Sequence, residues 1–381
     1  MKIEKNSYEL LDSVSLSKRL FSGFIDFVLL ILLEFVFFLG VCHPIIKTIP
    51  SYQEYDSIRE NEMNTLFSYS IEAKLLKEEN GKILNENEMF QRFVYKEVLL
   101  SFNENKDYFL TNDISSINNP YQVEMSSPSN NELIYFYVTY AKDNNLIDYK
   151  GMDPLDYYID VIGSSNSILS YYEINESNFP VLKPSLALSY YKEIENNKRE
   201  ELQSFYSFYD SIFQSSSKIL MNEEKYKMHY EIYEDAYYKS ISYLAVGVLI
   251  AHLVSYLIIY LIFPLFVFKY NMTLGRRIFK IVTFKDNDDI SIYMKLVISL
   301  VFFFLSYFSI FFSFGFFFGL NFINAPLFTL FNLNISNSLF ALISLLIFVI
   351  NYVFVFGRNN QSLADRLLDI EMKDANHFVS K

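Results

Sequence analysis

Residues 17–26 read SKRLFSGFID, and they open an apolar run that extends over residues 20–41. A run of about 22 residues is long enough for a helix to cross a hydrocarbon core of roughly 30 Å. Arg19 precedes the run, and Asp26 and Glu34 are the charged residues inside it. A carboxylate inside a membrane helix is unfavourable unless it has a partner or water. The rest of the chain is therefore expected to supply the surroundings of these carboxylates.

A cleaved signal peptide is the alternative interpretation of this run. Its internal acidic residues, and the lack of an Ala-x-Ala-like cleavage site after it, favour a retained spanning helix. Residues 1–42 are thus predicted to form a cytoplasmic N-terminus and the first spanning helix. Cys42 is the only cysteine of the chain, so no intrachain disulfide is expected.

Apolar runs long enough to span a bilayer recur later in the chain, which has 381 residues. The runs cover residues 20–41, 241–268, 296–320 and 338–357. A polar block, residues 43–240, separates the first run from the second. The predicted fold class is all-α: a polytopic membrane protein with four transmembrane helices and an inserted, mostly helical domain.

Charge placement predicts the orientation in the membrane. Outside the insertion, basic residues cluster before the first run, in the loop 269–295 and in the tail 358–381, whereas residues 321–337 carry no charge. The positive-inside rule then places both termini and the loop in the cytoplasm. The predicted localisation is the cell membrane, with residues 43–240 extracytoplasmic and residues 241–381 forming the second to fourth spanning helices.

The insertion is acidic. It has 18 basic and 32 acidic residues, a net charge of −14, against −12 for the whole chain. Such a surface argues against nucleic acid as a partner. Turn-forming residues delimit predicted helices at 52–79, 86–105, 131–145, 153–162 and from 184 onward. Since residues 185–246 contain no Gly or Pro, the last is predicted as one helix, or a helical pair, continuous with the second spanning run.

The insertion shows no pattern typical of catalysis or metal binding. His43 and His229 are its histidines and lie far apart in sequence, and the chain has no Cys/His metal spacing. It also lacks a Gly-x-Ser-x-Gly turn and a Gly-rich phosphate loop. We therefore predict no enzymatic activity, no cofactor and no metal.

Two stretches on the predicted cytoplasmic side carry clustered polar residues. Residues 272–282 read MTLGRRIFKIV, and residues 357–369 read GRNNQSLADRLLD. Together with the opening stretch, they resemble the motifs of the RDD family of membrane proteins, which is named for one arginine and two aspartates. The resemblance covers residues 17–42 and 241–372, and none of the insertion. The residues that carry it are Arg19, Asp26, Thr273, Gly275, Arg276, Arg277, Asp365 and Arg366.

The resemblance implies a membrane protein for which transport, including cation/proton exchange, has been proposed in other family members. The chain departs from the family pattern at three positions. Leu274 replaces a proline, Lys280 replaces a glycine, and Asp369 stands where a small residue is usual. These departures leave the turn geometry after residue 268 open.

Polar residues inside the predicted spans are candidates for an intramembrane polar site, namely Asp26, Glu34, His252 and Asn351. An intramembrane histidine is either a proton carrier or a neutral, hydrogen-bonded packing residue. Asp26 is predicted to point into the bundle. Arg19 is predicted to bridge to Asp365, since a guanidinium stays charged and can donate two parallel hydrogen bonds to one carboxylate. The alternative is that Arg19 only anchors the helix at lipid phosphates.

Two function classes stay open. The first is a transporter or channel-like protein that uses Asp26, with Arg19 and Asp365 as structural or gating partners. The second is a non-transporting membrane protein whose outward domain binds a partner, a ligand or a cell-envelope component. Four helices are few for an independent transporter, and a homo-oligomer would compensate. The expected partners are the lipid bilayer, further copies of the chain and an extracytoplasmic molecule.

Overall fold

The computed structural model describes residues 12–121, 131–195, 202–268, 271–285, 288–315, 324–330, 333–356 and 361–375. Its longer helices are α1 Leu16–Phe37, α2 Pro50–Glu72, α3 Glu86–Glu104, α4 Pro184–Glu195, α5 Leu202–Leu220, α6 Glu224–Tyr256, α7 Ile292–Ser306 and α8 Asn337–Val355. Shorter helices cover His43–Ile46, Lys106–Thr111, Glu132–Tyr135, Ala141–Asp143, Pro154–Tyr157, Gly163–Asn166, Ile168–Tyr171, Leu274–Ile278 and Leu363–Leu368. Wider π-helical turns cover Phe38–Cys42, Phe136–Tyr140, Tyr158–Ile162, Leu257–Val267 and Phe311–Gly315.

Short strands correct the all-α prediction, although the chain is mostly helical as predicted. They are β1 Asp12–Ser13, β2 Glu78–Glu79, β3 Lys82–Ile83, β4 Tyr172–Ile174, β5 Pro180–Leu182, β6 Ile281–Lys285, β7 Asp288–Asp289, β8 Pro326–Leu330, β9 Leu333–Ser336 and β10 Glu371–Asp374. An antiparallel sheet of order β1-β10-β6-β7 joins both ends of the chain to the loop after the second predicted span. The other strands pair as hairpins.

Three helices in the described part of the chain are long and apolar enough to cross a membrane. They are Leu16–Ile46, Glu224–Val267 and Asn337–Val355. These helices agree with a multi-pass membrane protein. Of the predicted span 296–320, the structure shows the shorter apolar helix α7, and residues 316–320 lie outside the described residues.

Helix α1 buries polar side chains and exposes apolar ones. Every fourth residue faces inward, and these residues are Ser22, Asp26, Leu30 and Glu34. The outer face has large apolar side chains, with Phe21 61%, Phe24 62% and Val36 64% exposed. A helix of a water-soluble protein shows the opposite arrangement, with its apolar face against the core. The outer face of α1 therefore suits contact with lipid.

Helix α8 has the same inverted arrangement. It buries Asn337, Ser344 and Asn351, while Leu346 and Val353 are 57% and 67% exposed. Between α8 and the rest of the bundle, the Ser344 hydroxyl accepts a hydrogen bond from the Phe308 amide at 3.0 Å and donates to the Phe304 carbonyl. Polar contacts of this kind hold membrane helices together, because lipid gives helices no hydrophobic reason to associate.

The chain divides into two compact units. One comprises Met1–Ser57 and Asp235–Lys381, and the other comprises Ile58–Glu234. The second unit is shorter than the predicted insertion 43–240 at both ends, because parts of α2 and α6 belong to the first unit.

The second unit is helical, and the long last element predicted for it is divided between Leu220 and Glu224, so the alternative of a helical pair describes it better than one helix. Helix α5 ends at Leu220 and α6 starts at Glu224. In between, the amides of Asn222 and Glu223 donate to carbonyls three residues back, at 3.0 Å each. This tight turn forms without Gly or Pro, so no turn-forming residue of either type marks it in the sequence. Residues 196–201, also within the predicted helix, lie outside the described residues.

Aromatic side chains form the core of the second unit. Phe205 is fully buried, and its ring centroid lies 5.0 Å from that of Tyr190, 5.6 Å from that of Phe208 and 5.9 Å from that of Phe93. Rings in contact at these separations bury a large apolar area and add favourable edge and face contacts. The second unit thus has a hydrophobic core of its own.

Glu97 is a buried acid beside this core. It is 1% exposed, and its Oε1 accepts a hydrogen bond of 2.5 Å from the Asn131 side-chain amide. Burial raises the pKa of Glu97 to about 7, because loss of hydration disfavours the carboxylate, and hydrogen bonds with Tyr172 and Asn131 only partly oppose this.

The stability of the second unit is expected to fall as pH rises. The folded pKa of Glu97 lies above the unfolded one, so the unfolded chain ionises first, and between pH 5 and pH 7 roughly 2 kcal/mol of unfolding free energy is lost. Glu97→Gln should remove this loss. Urea unfolding of the full chain in detergent, followed by circular dichroism at several pH values, measures the difference between the two proteins. Glu104→Gln, at the exposed end of the same helix, is the control, and an unchanged slope in Glu97→Gln would contradict the expectation.

Candidate functional site

Asp26 is held at the start of the short helix Leu274–Ile278. The Thr273 hydroxyl donates to its Oδ2 at 2.5 Å, and the Gly275 amide donates to its Oδ1 at 2.8 Å. Thr273 is also the N-cap of that helix, where its hydroxyl accepts from the Arg276 amide at 3.3 Å. Asp26 is 3% exposed, so the prediction that it points into the bundle is confirmed.

Gly275 allows the loop and α1 to meet backbone to backbone. A Cβ atom at this position would lie 2.2 Å from the Ser22 carbonyl oxygen and 3.1 Å from the carboxyl carbon of Asp26. The first distance is far below van der Waals contact, and the atom it meets is backbone. The motif residues Asp26 and Gly275 therefore act together as one junction.

Arg276 places a buried positive charge beside this junction. It is 7% exposed, and its Nη1 donates to the Asn271 carbonyl at 3.2 Å and to the Thr283 hydroxyl at 3.5 Å. Its guanidinium carbon lies 5.6 Å from the centre of the Phe302 ring. The loop geometry that the sequence left open is thus a capped helical turn followed by β6.

The ion pair predicted between Arg19 and Asp365 is present. Arg19 Nη1 lies 3.3 Å from Asp365 Oδ2, and their side chains are 12% and 2% exposed. Asp365 also belongs to a capping box, because its Oδ2 accepts from the Ser362 amide at 2.8 Å while its own amide donates to the Ser362 hydroxyl. A second ion pair, Lys18 with Asp374, joins the same end of α1 to β10. The tail is therefore attached to α1 at two places.

A cavity of about 390 Å³ lies among these contacts. Two arginines and two aspartates balance its charge, and aromatic and aliphatic side chains make up most of the remaining wall. Small-molecule sites are commonly 300–1,000 Å³, mostly apolar and with a few placed polar groups. The cavity fits a small solute with a polar end and an apolar part. The polar residues in its wall are Arg19, Ser22, Asp26, Tyr260, Thr273, Arg276, Ser306, Asn351, Ser362 and Asp365.

Other predicted site residues lie elsewhere. Arg277 stacks on Phe268 at 4.5 Å, and Arg366 stacks on Phe354 at 4.9 Å, and neither arginine lines the cavity. Glu34 and His252 meet each other apart from the cavity, so the four predicted intramembrane residues form two sites.

Several contributing residues were not identified from the sequence. The four-residue spacing from Ser22 to Asp26 was a usable signal, since it places both side chains on one helical face. Ser362 precedes Asp365 at capping-box spacing, which was a second usable signal. No sequence signal marked Lys18 as a contributing residue, because its partner Asp374 belongs to a strand that was not predicted.

Comparison of the chain with protein-family models, with curated proteins and with solved structures gave no match. Among the described residues, no group of three or more His, Cys, Asp and Glu side chains is placed to hold a metal ion. The function of the cavity is therefore inferred from its geometry and from the three sequence motifs.

Proposed function

We propose that the chain is an integral membrane protein of the RDD type that binds an ion or a small solute in the Asp26 cavity and carries it across the membrane, without catalysing a reaction. The observation that carries the proposal is that three separate stretches of sequence meet at one cavity. Arg19 and Asp26, the 272–282 stretch and the 357–369 stretch are far apart in sequence, yet each contributes polar side chains to one cavity.

The charge pattern of the cavity supports reversible binding. Asp26 and Asp365 each already accept two hydrogen bonds, and their carboxylates have further lone pairs for a solute. A solute would therefore enter a site that is preformed, and it would not have to separate the ion pair first.

The proposed orientation follows from the basic residues. Both termini and the loop 269–295 face the cytoplasm, four helices span the membrane, and the insertion 43–240 is extracytoplasmic. The cavity then opens near the cytoplasmic side, where α1 begins. A homo-oligomer would supply the additional helices that transporters usually have.

Filling the cavity is expected to stop transport. Gly23 lies on α1 in the cavity wall, and a Cβ added there would meet no atom within 4 Å. Gly23→Leu should therefore fold and occupy the cavity with its larger side chain. Vesicles containing the purified protein and dyes for H⁺, Na⁺ and K⁺ measure flux. A decrease of about tenfold or more relative to the unmodified chain is expected, which corresponds to at least 1.4 kcal/mol.

Gly40 provides the matched control. It lies in the same spanning helix, a Cβ there would also meet no atom within 4 Å, and it does not line the cavity. Gly40→Leu should leave flux unchanged. Equal flux in Gly23→Leu and the unmodified chain would contradict a role of the cavity, and no flux above empty vesicles for any of the three ions would contradict their transport.

The alternative function, ligand binding by an outward domain without transport, is favoured by a second cavity. It lies in the second unit and measures about 360 Å³. Tyrosine and amide side chains suit stacking and hydrogen bonding to sugar rings or extended peptides. Such side chains in its wall are Asn87, Gln91, Tyr95, Tyr121, Gln203 and Tyr206.

A further inference from the structure

A second polar site lies deeper in the membrane-spanning helices. Glu34 of α1 and His252 of α6 are both 0% exposed, and Glu34 Oε1 lies 2.7 Å from His252 Nδ1. The Ser309 hydroxyl donates to the same oxygen at 2.7 Å. An acid and a base in contact inside two spanning helices are expensive to desolvate, and such residues are functional more often than structural. The cavity does not include either residue.

The Glu34–His252 pair can exist in two protonation states. With one ring proton, the imidazole donates from Nδ1 to the Glu34 carboxylate, and the pair has a charge of −1. With one more proton, the pair is neutral, either as imidazolium and carboxylate or as imidazole and carboxylic acid. The two states differ by one charge and by whether Nε2 carries hydrogen.

The second ring nitrogen of His252, Nε2, is not the one that contacts Glu34. His252 Nε2 is buried, and it has no hydrogen-bond partner in the part of the chain that the structure describes. A buried polar atom without a partner is unfavourable, because it has lost its hydrogen bonds to water. Because Glu34 occupies Nδ1, Nε2 is the ring atom through which a proton can enter or leave. The orphaned nitrogen therefore points to exchange rather than to packing.

The groups around the pair come from four helices. On α1, Asp26 lies two turns away, and on α6, Tyr256 lies one turn away. The Tyr307 ring, which follows α7, meets the imidazole edge-on at 5.1 Å. Its hydroxyl donates elsewhere, to Asn337 Oδ1 at 2.9 Å. Helix α8 has no Asp, Glu, Lys, Arg or His in its sequence.

Two tyrosines follow His252 at one-turn spacing toward the cavity. Tyr256 follows His252 by one turn and exchanges a hydrogen bond of 2.6 Å with the Ser299 hydroxyl. Tyr260 follows by one more turn and lines the cavity. Their hydroxyl groups can both donate and accept hydrogen bonds, and neither contacts His252 Nε2 in the described part of the chain.

We infer that Glu34 and His252 form an intramembrane proton-binding site, which takes up and releases one proton through His252 Nε2. Its role as the coupling site of a proton-driven transporter rests on the transport function proposed above. Proton binding itself does not, and it can be tested without a transported solute.

Nitrogen NMR of the histidines in the full chain tests the site. The chain has 4 histidines, and the two ring nitrogens report charge and tautomer separately. The protein is labelled with ¹⁵N-histidine and reconstituted into phosphatidylcholine vesicles. Replacing His43, His229 and His377 with glutamine assigns the His252 signals and leaves the pair intact.

Across a series of pH values, the His252 signals are expected to change charge or tautomer as the pair takes up or releases its proton. Glu34→Gln should abolish the change, whereas Ser309→Ala, which keeps both proton-binding groups, should retain it. His252 signals that do not respond to pH in the unmodified pair would overturn the inference, and this measurement needs no variant of the pair. A response unchanged in Glu34→Gln would also overturn it.

The second unit supplies a matched control. His229 Nδ1 lies 2.6 Å from Glu62 Oε2, with side chains 24% and 18% exposed. Glu62→Gln should change the His229 signals and leave those of His252 unaffected, and an effect on His252 would overturn the assignment to a local site. A pH response of His252 without ion flux would support the proton site and count against transport. Ion flux without a pH response of His252 would support transport and count against the proton site.

Discussion

Replacing Gly275 with alanine is expected to lower the free energy of unfolding by about 3 kcal/mol, from steric strain and a weakened hydrogen bond together. The new methyl carbon would lie 2.2 Å from the Ser22 carbonyl oxygen, so the loop or α1 must move. Movement of the loop lengthens the hydrogen bond from the Gly275 amide to Asp26. The buried carboxylate then loses a donor, and that loss adds to the steric strain.

Equilibrium unfolding in mixed micelles, followed by circular dichroism, measures this effect. Gly40→Ala is the control, because it changes the same residue type in the spanning helix that Gly275 contacts, and its added methyl group meets no atom within 4 Å. Alanine favours helix over glycine by up to about 1 kcal/mol, so the control should be neutral or slightly stabilising. Similar stability of the two variants would show that the loop does not approach α1 as closely as described.

The general plan of the chain could be predicted from hydropathy, because long apolar runs specify membrane helices directly. The inward position of Asp26 also followed from the cost of placing charge in lipid. The sheet could not be predicted in this way. Strands β1 and β10 have only two and four residues, and they pair across almost the whole chain, so neither length nor periodicity marked them.

Which polar residues meet inside the bundle depends on helix rotation and neighbour order, and hydropathy specifies neither. Glu34, His252 and Asn351 were each recognisable as polar residues in apolar runs. The packing of α1 against α6 brings Glu34 into contact with His252, whereas Asn351 lines the Asp26 cavity. Neither pairing could be predicted from the sequence. Ser309 carried no signal, since a hydroxyl is common in membrane helices and satisfies itself locally in most of them.

The ion pair between Arg19 and Asp365 is expected to contribute the largest single electrostatic effect at the cavity. Removing one partner of a buried pair leaves an uncompensated charge and typically lowers stability by about 3–5 kcal/mol. Arg19→Met should show a loss of this size, since it leaves the Asp365 carboxylate at 2% exposure without the guanidinium. Asp365→Asn isolates the ion pair from the capping box, because the asparagine oxygen can still accept from the Ser362 amide.

A double-mutant cycle distinguishes a true pair from two separate anchors. If Arg19 and Asp365 interact, the loss in the double variant is smaller than the sum of the single losses by about 1 kcal/mol or more. Arg366→Met is the matched control, because this neighbouring arginine is exposed and stacks on Phe354, and its loss should stay within about 0.5 kcal/mol. The measurement is the unfolding free energy in mixed micelles of the unmodified chain, the two single variants, the double variant and the control. Additive losses would mean that Arg19 binds lipid phosphate and that the tail is attached to α1 by Lys18 and Asp374 alone. Since Asp365 both pairs with Arg19 and caps the start of the helix Leu363–Leu368, a coupled result would show that the ion pair joins α1 to the capped helix in the cavity wall.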